Sequence, residues 1–148
     1  MQMEHTASRS RCWRCSFSIT GHYHRRMLIR HADPAATTPV TMTGAKDVTM
    51  QVMVGRDDNA PNFAMRHFVV APGGHTPHHA HPYEHEVFIV EGELEAECDG
   101  ETRTVTGGDV LLVPSEAVHQ FRNASAAPAR FLCLVPVTSD CGQPVSGS

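Results

Sequence analysis

Apolar and polar residues alternate along most of the chain after residue 44, with the period of two that is typical of β-strands. The clearest case is residues 93–98, in which three glutamates alternate with Leu94, Ala96 and Cys98. Similar alternation, or runs of apolar and β-branched residues, predicts strands at residues 48–54, 63–71, 85–90, 94–98, 102–106, 110–113, 118–122 and 130–137. No segment of ten residues has the apolar spacing of an amphipathic helix, so we predict an all-β protein.

Turn residues separate the predicted strands. Asp99-Gly100 is a two-residue hairpin signal, and Gly92 and Gly108 are expected in turns that need a positive φ or close backbone approach. Asn123 is expected to cap a loop through its side-chain hydrogen bonds. Many short strands at close spacing predict a single-domain, jelly-roll-like antiparallel β-barrel.

Charge divides the chain into two regions. Residues 1–26 hold five arginines and one glutamate, a net charge of +4. Because the whole chain has a net charge of −4, residues 27–148 carry −8. We expect a disordered basic extension at 1–26, an N-terminal arm and linker at 27–43, the barrel at 44–137 and a flexible tail at 138–148. We also hypothesise that the natural start of the protein is Met27, which opens the first ordered-looking phrase.

Composition argues against several classes of partner. The net charge of −4 does not favour nucleic acid or an acidic membrane, and no apolar stretch reaches the roughly 20 residues of a membrane span. Residues 15–20 are too short and too polar for the apolar part of a secretory signal, so we predict a cytoplasmic protein. Cys98 and Cys133 are expected to be buried free thiols, as suits a reducing compartment. The pair Cys12 and Cys15 resembles half of a zinc knuckle, but its spacing to the next histidines is short for a finger and favours coincidence.

Histidine is the residue type that points to chemistry, because five of the eleven histidines fall between His75 and His85. His79 and His81 are two residues apart, which on a strand places both imidazoles on one face. His85 keeps the same parity, and His119 lies much later in the chain. Single histidines on strands are more often packed or solvent-facing than ligands, and we interpret His67, His75 and His78 in that way.

Two spaced motifs carry a resemblance to a known family. The segment Gly73-x5-His79-x-His81-x3-His85-x6-Gly92 resembles the first cupin motif, and Gly108-x5-Pro114-x4-His119-x3-Asn123 resembles the second. The resemblance covers roughly residues 44–137 and implies a cupin β-barrel. More narrowly, residues 60–66, 81–88 and 131–136 resemble the small single-domain manganese-binding cupins with an all-histidine site.

The sequence departs from the general cupin motif at two positions. The third ligand of the motif is usually glutamate, and His85 occupies that place here. Glu86 is an alternative ligand, but only His85 has the six-residue spacing to Gly92, and Glu86 has the opposite parity. Glu116 stands where the motif usually has a glycine, which puts the turn geometry there in question.

The resemblance implies one divalent metal ion held by His79, His81, His85 and His119. It favours manganese and then iron, with copper, nickel or zinc as further candidates. Imidazole affinity by itself ranks copper and nickel above manganese, so the preference for manganese rests on the resemblance alone.

A metal-dependent oxidoreductase of the dioxygenase type, acting on a small electron-rich organic substrate, is the leading functional prediction. Four neutral ligands leave the full charge on the ion, and octahedral geometry leaves two positions for water, dioxygen or a bidentate substrate. No obvious general base lies in the motifs. The alternatives are a non-catalytic module that binds a metal or small ligand, and a metal-dependent isomerase or lyase acting on a sugar or keto acid.

A substrate pocket and a dimer complete the predictions. The pocket wall is predicted to include Phe63, Met65, Phe88, Phe121 and either Leu132 or Cys133, of which Cys133 is preferred, with Arg66 or Tyr83 as a polar contact for the substrate. The ordered-looking residues 27–54 are expected to pair with the sheet of a partner subunit, in a homodimer.

Overall fold

Antiparallel strands account for most of the computed structural model, which describes residues 27–139. The strands are β1 Thr38–Pro39, β2 Lys46–Val54, β3 Phe63–His75, β4 His85–Glu91, β5 Glu93–Cys98, β6 Glu101–Thr106, β7 Val110–Val113, β8 His119–Arg122 and β9 Ala129–Pro136. Pro34–Ala36 and Arg56–Asp58 form short 3-10 turns, and no α-helix occurs in residues 27–139. None of the helical segments in that range is long and apolar enough to cross a membrane. The all-β prediction is confirmed.

The strands form one curled antiparallel sheet in the order β6-β5-β8-β3-β9-β4-β7, with β2 and then β1 added beside β3. Strand β3 joins the two halves of the curl. Most of its length pairs with β2 and β9, while its last residue, His75, pairs with Arg122 of β8. The concave side of the sheet therefore collects side chains from both halves of the chain.

Alternate residues of the strands fill the concave side. In β9, Phe131, Cys133 and Val135 are buried, whereas the residues between them are partly exposed. The ring of Phe131 stacks on Phe68 of β3 at 4.7 Å between centroids and contacts Phe121 of β8 at 5.2 Å. This aromatic group lies at the centre of one continuous core.

The predicted turn residues adopt the conformations expected of them. Asp99 and Gly100 have φ of 48° and 84°, the pair of positive values that a two-residue hairpin between β5 and β6 needs. The Asn123 amide donates to the carbonyls of Val70 and Ala127 at 2.9 and 2.8 Å, so the predicted cap is confirmed. Glu116 takes a left-handed φ of 65°, the region that the glycine of the motif favours.

Strand β3 runs to His75, four residues past its predicted end, and residues Thr38–Pro39 of the predicted arm and linker form β1. Strand β2 pairs with β3 of the same chain, with its residues 48–52 in register with 70–66. The pairing of residues 27–54 with the sheet of a partner subunit and the homodimer stay predictions. The interpretations of residues 1–26 and of 140–148, including Cys12, Cys15 and Cys141, lie outside the described residues.

Candidate metal centre

Four histidines converge on the concave side of the sheet from three segments. His85 is the first residue of β4 and His119 the first of β8, whereas His79 and His81 lie in the loop between β3 and β4. The expectation that His79 and His81 share a strand face is therefore wrong. The loop is instead held by backbone bonds: His79 and His119 pair through both peptide groups at 3.3 and 2.9 Å, and the amide of Glu116 donates to the carbonyl of His81 at 2.8 Å.

The four imidazoles are packed against one another. The ring centroids of His79, His81 and His119 lie 5.0–5.2 Å apart. The ring centroid of His85 lies 4.5 Å from that of His81 and 4.9 Å from that of His119. Candidate donor nitrogens of His79, His81 and His119 lie within 4.8 Å of one another. The Nε2 atom of His85 is 2.6 Å from Nε2 of His81. Two nitrogens bound to one ion at about 2.1 Å and at a right angle lie about 3 Å apart, so the spacing of His79, His81 and His119 allows a shared ion. His85 lies outside that group of three and adjoins it through His81.

Burial keeps the four rings neutral, as metal ligands must be. Burial, together with the charges of neighbouring histidines and Arg66, lowers the pKa of His79 to about 4 and that of His85 to about 2. Burial likewise lowers the pKa of His81 and His119. At neutral pH the protein therefore presents neutral imidazoles that need not lose a proton to bind a cation. This donor set fits a divalent transition metal.

Contacts outside the cluster orient two of the rings. Nδ1 of His119 is 2.9 Å from the carbonyl of Ala117, which can only accept, so Nδ1 carries the proton and Nε2 keeps its lone pair. Nδ1 of His85 lies 3.1 Å from Sγ of Cys133 and 3.3 Å from Nη2 of Arg66. Because guanidinium only donates, the Arg66 contact favours the tautomer with the proton on Nε2, which then points at His81. Binding a metal through His85 Nε2 would move that proton to Nδ1, where the Cys133 sulfur is the acceptor.

The histidines line one end of a cavity of about 480 Å³. Of the residues predicted to form a pocket, Arg66, Tyr83, Phe121 and Cys133 line it. Phe63, Met65 and Phe88 do not line it, so this part of the prediction is wrong. Phe63 and Met65 alternate with the inward-facing residues of β3, and Phe88 lies between the buried residues of β4; the side chains of Phe63 and Phe88 are 56% and 42% exposed. The other described histidines near the motifs, His67, His75 and His78, lie outside the lining.

Sequence reasoning missed several residues of the cavity wall. Phe68 and Phe131 share the parity of Arg66 and Cys133, which could have identified them. Residues 38–43, which were predicted to be a linker, also line the cavity because β1 pairs with β2 at its edge. No local pattern in these residues indicates that they contribute to the cavity wall.

The lining of the cavity is apolar or neutral apart from one side chain. Among the described residues that form it there is no aspartate or glutamate, and Arg66 is the one with a permanent charge. Glu84 and Glu86 lie close in sequence to the ligands but outside the lining, which agrees with the predicted parity of Glu86. The site therefore offers metal ligands and aromatic walls without a carboxylate.

Residues 66–135 match the family model for the cupin domain. The solved structure of the polyketide cyclase RemF from Streptomyces resistomycificus is similar, with 30% identity, a TM-score of 0.71 and coverage of 76% of this chain and 80% of that one. The polyketide synthase CurC of Streptomyces cyaneus is 38% identical over 65 residues, which is 43% of this chain and 42% of that protein. The 1-methylthio-D-xylulose 5-phosphate methylsulfurylase of Rhodospirillum rubrum is 32% identical over 64% of this chain and 60% of that protein. The chain thus spans less than two thirds of the length of these curated relatives.

Proposed function

We propose that this chain, which belongs to the cupin family, is a metal-dependent oxidoreductase of the dioxygenase type that acts on a small organic substrate. The observation that supports it most directly is a set of four neutral imidazoles at the end of a largely apolar cavity. His79, His81, His85 and His119 would hold one divalent ion, and we propose manganese as the native metal.

The bound ion would supply a Lewis-acidic centre for substrate oxygen atoms and, if it is manganese or iron, a site for electron transfer. The chain itself binds, orients and shields the substrate. Phe68, Phe121 and Phe131 form an aromatic wall along the cavity. Tyr83 stacks on His81, with centroids 3.8 Å apart and planes 11° apart, and so restricts the orientation of that ring.

The lack of a carboxylate in the described lining favours metal-centred chemistry over acid–base chemistry. An isomerase or lyase acting on a sugar or keto acid needs a positioned acid or base beside the substrate. A redox reaction centred on the metal depends less on such a group.

A second candidate is metal-assisted cyclisation of a polyketide-type substrate. It is favoured by the similarity to the polyketide cyclase RemF, of which this chain covers 80% at 30% identity. Both candidate reactions suit an enolisable or phenolic compound whose oxygen atoms bind a metal, and they differ in whether dioxygen is consumed.

The first experiment is elemental analysis of the protein purified without added metal, with two variants. His79→Ala should lose the metal, whereas His78→Ala should keep it, because His78 is exposed and contacts Glu97 instead of the cluster. Absence of metal from the wild type, even after reconstitution with manganese, iron and zinc, would overturn the proposal.

Turnover of β-diketones and catechols by the metal-loaded protein should then be followed in an oxygen electrode and under anaerobic conditions. Oxygen uptake that matches substrate loss supports the oxidoreductase. Substrate loss without oxygen uptake would replace it with the cyclase or another non-redox activity. Tight metal binding with no turnover of any probe would favour the non-catalytic binding module.

A further inference from the structure

Arg66 is a buried cation with incomplete hydrogen bonding. Its side chain extends from β3 into the cavity, the residue is 5% exposed, and its guanidinium carbon lies 5.3 Å from the centre of the Phe68 ring. Nη2 contacts His85 Nδ1 at 3.3 Å and Cys133 Sγ at 3.1 Å. Nε is buried without a partner, and Nη1 makes no hydrogen bond to any residue between 27 and 139. Of its five N–H groups, only the two on Nη2 therefore face acceptors, and both acceptors are weak and neutral.

A buried guanidinium without a carboxylate is unusual, because removing it from water is costly unless an anion compensates the charge. Four other described arginines, Arg30, Arg103, Arg122 and Arg130, pair with aspartates or glutamates that do not line the cavity. Within the described lining of the cavity no acidic side chain is present to pair with Arg66. The compensating anion is therefore not supplied by this part of the chain.

Metal binding would increase this deficit. If Nε2 of His85 held an ion, the ring proton would sit on Nδ1, and Arg66 would lose one of its two acceptors because a donor would then face a donor. The cavity would also gain a divalent ion held by four neutral rings. A site with a dication and a guanidinium, and with no carboxylate among its described residues, attracts an anion.

We propose that the ligand of this cavity is an organic anion, whose carboxylate or similar planar oxyanion is held by the guanidinium of Arg66. The inference rests on the proposed function for the presence of the metal, and it specifies the substrate class. The planar fork of arginine matches a carboxylate in two parallel hydrogen bonds, which lysine cannot reproduce. The apolar part of the anion would lie against the aromatic wall of Phe68, Phe121 and Phe131.

The test measures binding of benzoate and salicylate, and of their neutral counterparts benzamide and salicylamide, to zinc-loaded protein by calorimetry. Wild type should bind each carboxylate at least about tenfold more tightly than its amide, since hydrogen bonds to charged groups are the stronger ones. Arg66→Met should remove this preference, and Arg66→Lys should restore part of it. Arg103→Met is the matched control, because Arg103 is exposed and pairs with Glu101; it should bind like the wild type.

Metal content and circular dichroism of each variant are measured before binding, so that a loss of metal or of fold is seen directly. The same titrations are repeated on metal-free protein, where the carboxylate preference should be weaker but should still depend on Arg66. That arm separates the two proposals, because it gives a result even if the protein takes up no metal. Equal binding of acids and amides by the wild type, or an unchanged preference in Arg66→Met, would overturn the assignment.

Discussion

Replacing Gly92 by alanine tests why a glycine is needed between β4 and β5. Gly92 has a φ of +83°, and a Cβ there would lie 2.7 Å from Cα of Ala129, 2.8 Å from the carbonyl oxygen of Pro128 and 2.9 Å from Cβ of Ala129. Gly100 has nearly the same φ, +84°, but a Cβ there would meet nothing within 4 Å. The two positions therefore share the backbone strain and differ in the space available.

The expected costs follow from these two terms. Alanine in the left-handed region costs about 1–2 kcal/mol, and the smaller conformational freedom of the unfolded chain offsets about 0.4–1 kcal/mol of this. Gly100→Ala should therefore destabilise the protein by about 1 kcal/mol. Gly92→Ala adds overpacking against backbone, about 1–3 kcal/mol, for a total of about 2–4 kcal/mol.

Urea unfolding of the wild type and both variants, followed by circular dichroism, gives the free energy of unfolding of each. Gly92→Ala should be the less stable variant, with an unchanged dependence on urea. Equal destabilisation at the two positions would refute the reasoning. It would mean that the motif glycine is needed only for its φ and not for the close approach of the β4–β5 corner to Ala129 of β9.

Three further predictions concern the site and the core. His85→Ala should lose most of the bound metal in elemental analysis, whereas Glu86→Ala, the other residue considered as third ligand, should keep about one equivalent; the reverse result would exchange their roles. Asn123→Ala should lower the free energy of unfolding by about 2–4 kcal/mol, because it leaves two carbonyls without their buried amide donor; a loss below about 0.5 kcal/mol in urea unfolding would contradict this. His67 is fully buried and neither ring nitrogen hydrogen-bonds within residues 27–139, so His67→Leu should be neutral or stabilising in the same assay. Burial also lowers the pKa of His67, so as the pH drops below 6.5 the unfolded chain binds a proton that the folded protein does not, and the wild type becomes less stable. The stability gained by His67→Leu should therefore be larger at pH 5 than at pH 7. A smaller gain at pH 5 would count against this reasoning.

Local patterns in the sequence were sufficient to predict most of the strands and turns. Alternation of side chains is a property of neighbouring residues, so the positions of β4 to β9 were predicted to within two residues of those observed. The hairpin at Asp99-Gly100 was predictable for the same reason, since positive φ at two successive positions limits the residue types that can occupy them. The spacing of the histidines, together with its resemblance to the two cupin motifs, predicted which four imidazoles lie together.

The two-residue period of a strand divides its side chains into two faces, but it does not tell which face lines the cavity. That is why Phe63, Met65 and Phe88 were assigned to a cavity wall that is formed instead by the opposite face, with Phe68 and Phe131. The route by which His79 and His81 reach the site was also mispredicted, because a backbone bridge to His119 holds them in a loop.

The sequence by itself determined the class of fold, the turn positions and the identity of the histidine cluster, because each depends on the spacing of residues along the chain. Tertiary structure decided the contents of the cavity. Pairing of β1 with β2 brings residues 38–43 to the cavity wall, and pairing of β3 with β9 places Arg66 beside His85 and Cys133, with no acidic residue in the described lining. Which side chains are buried in the cavity, and which charges lie together there, depends on which strands pair across long distances in sequence. The spacing of residues along one strand does not reveal that pairing.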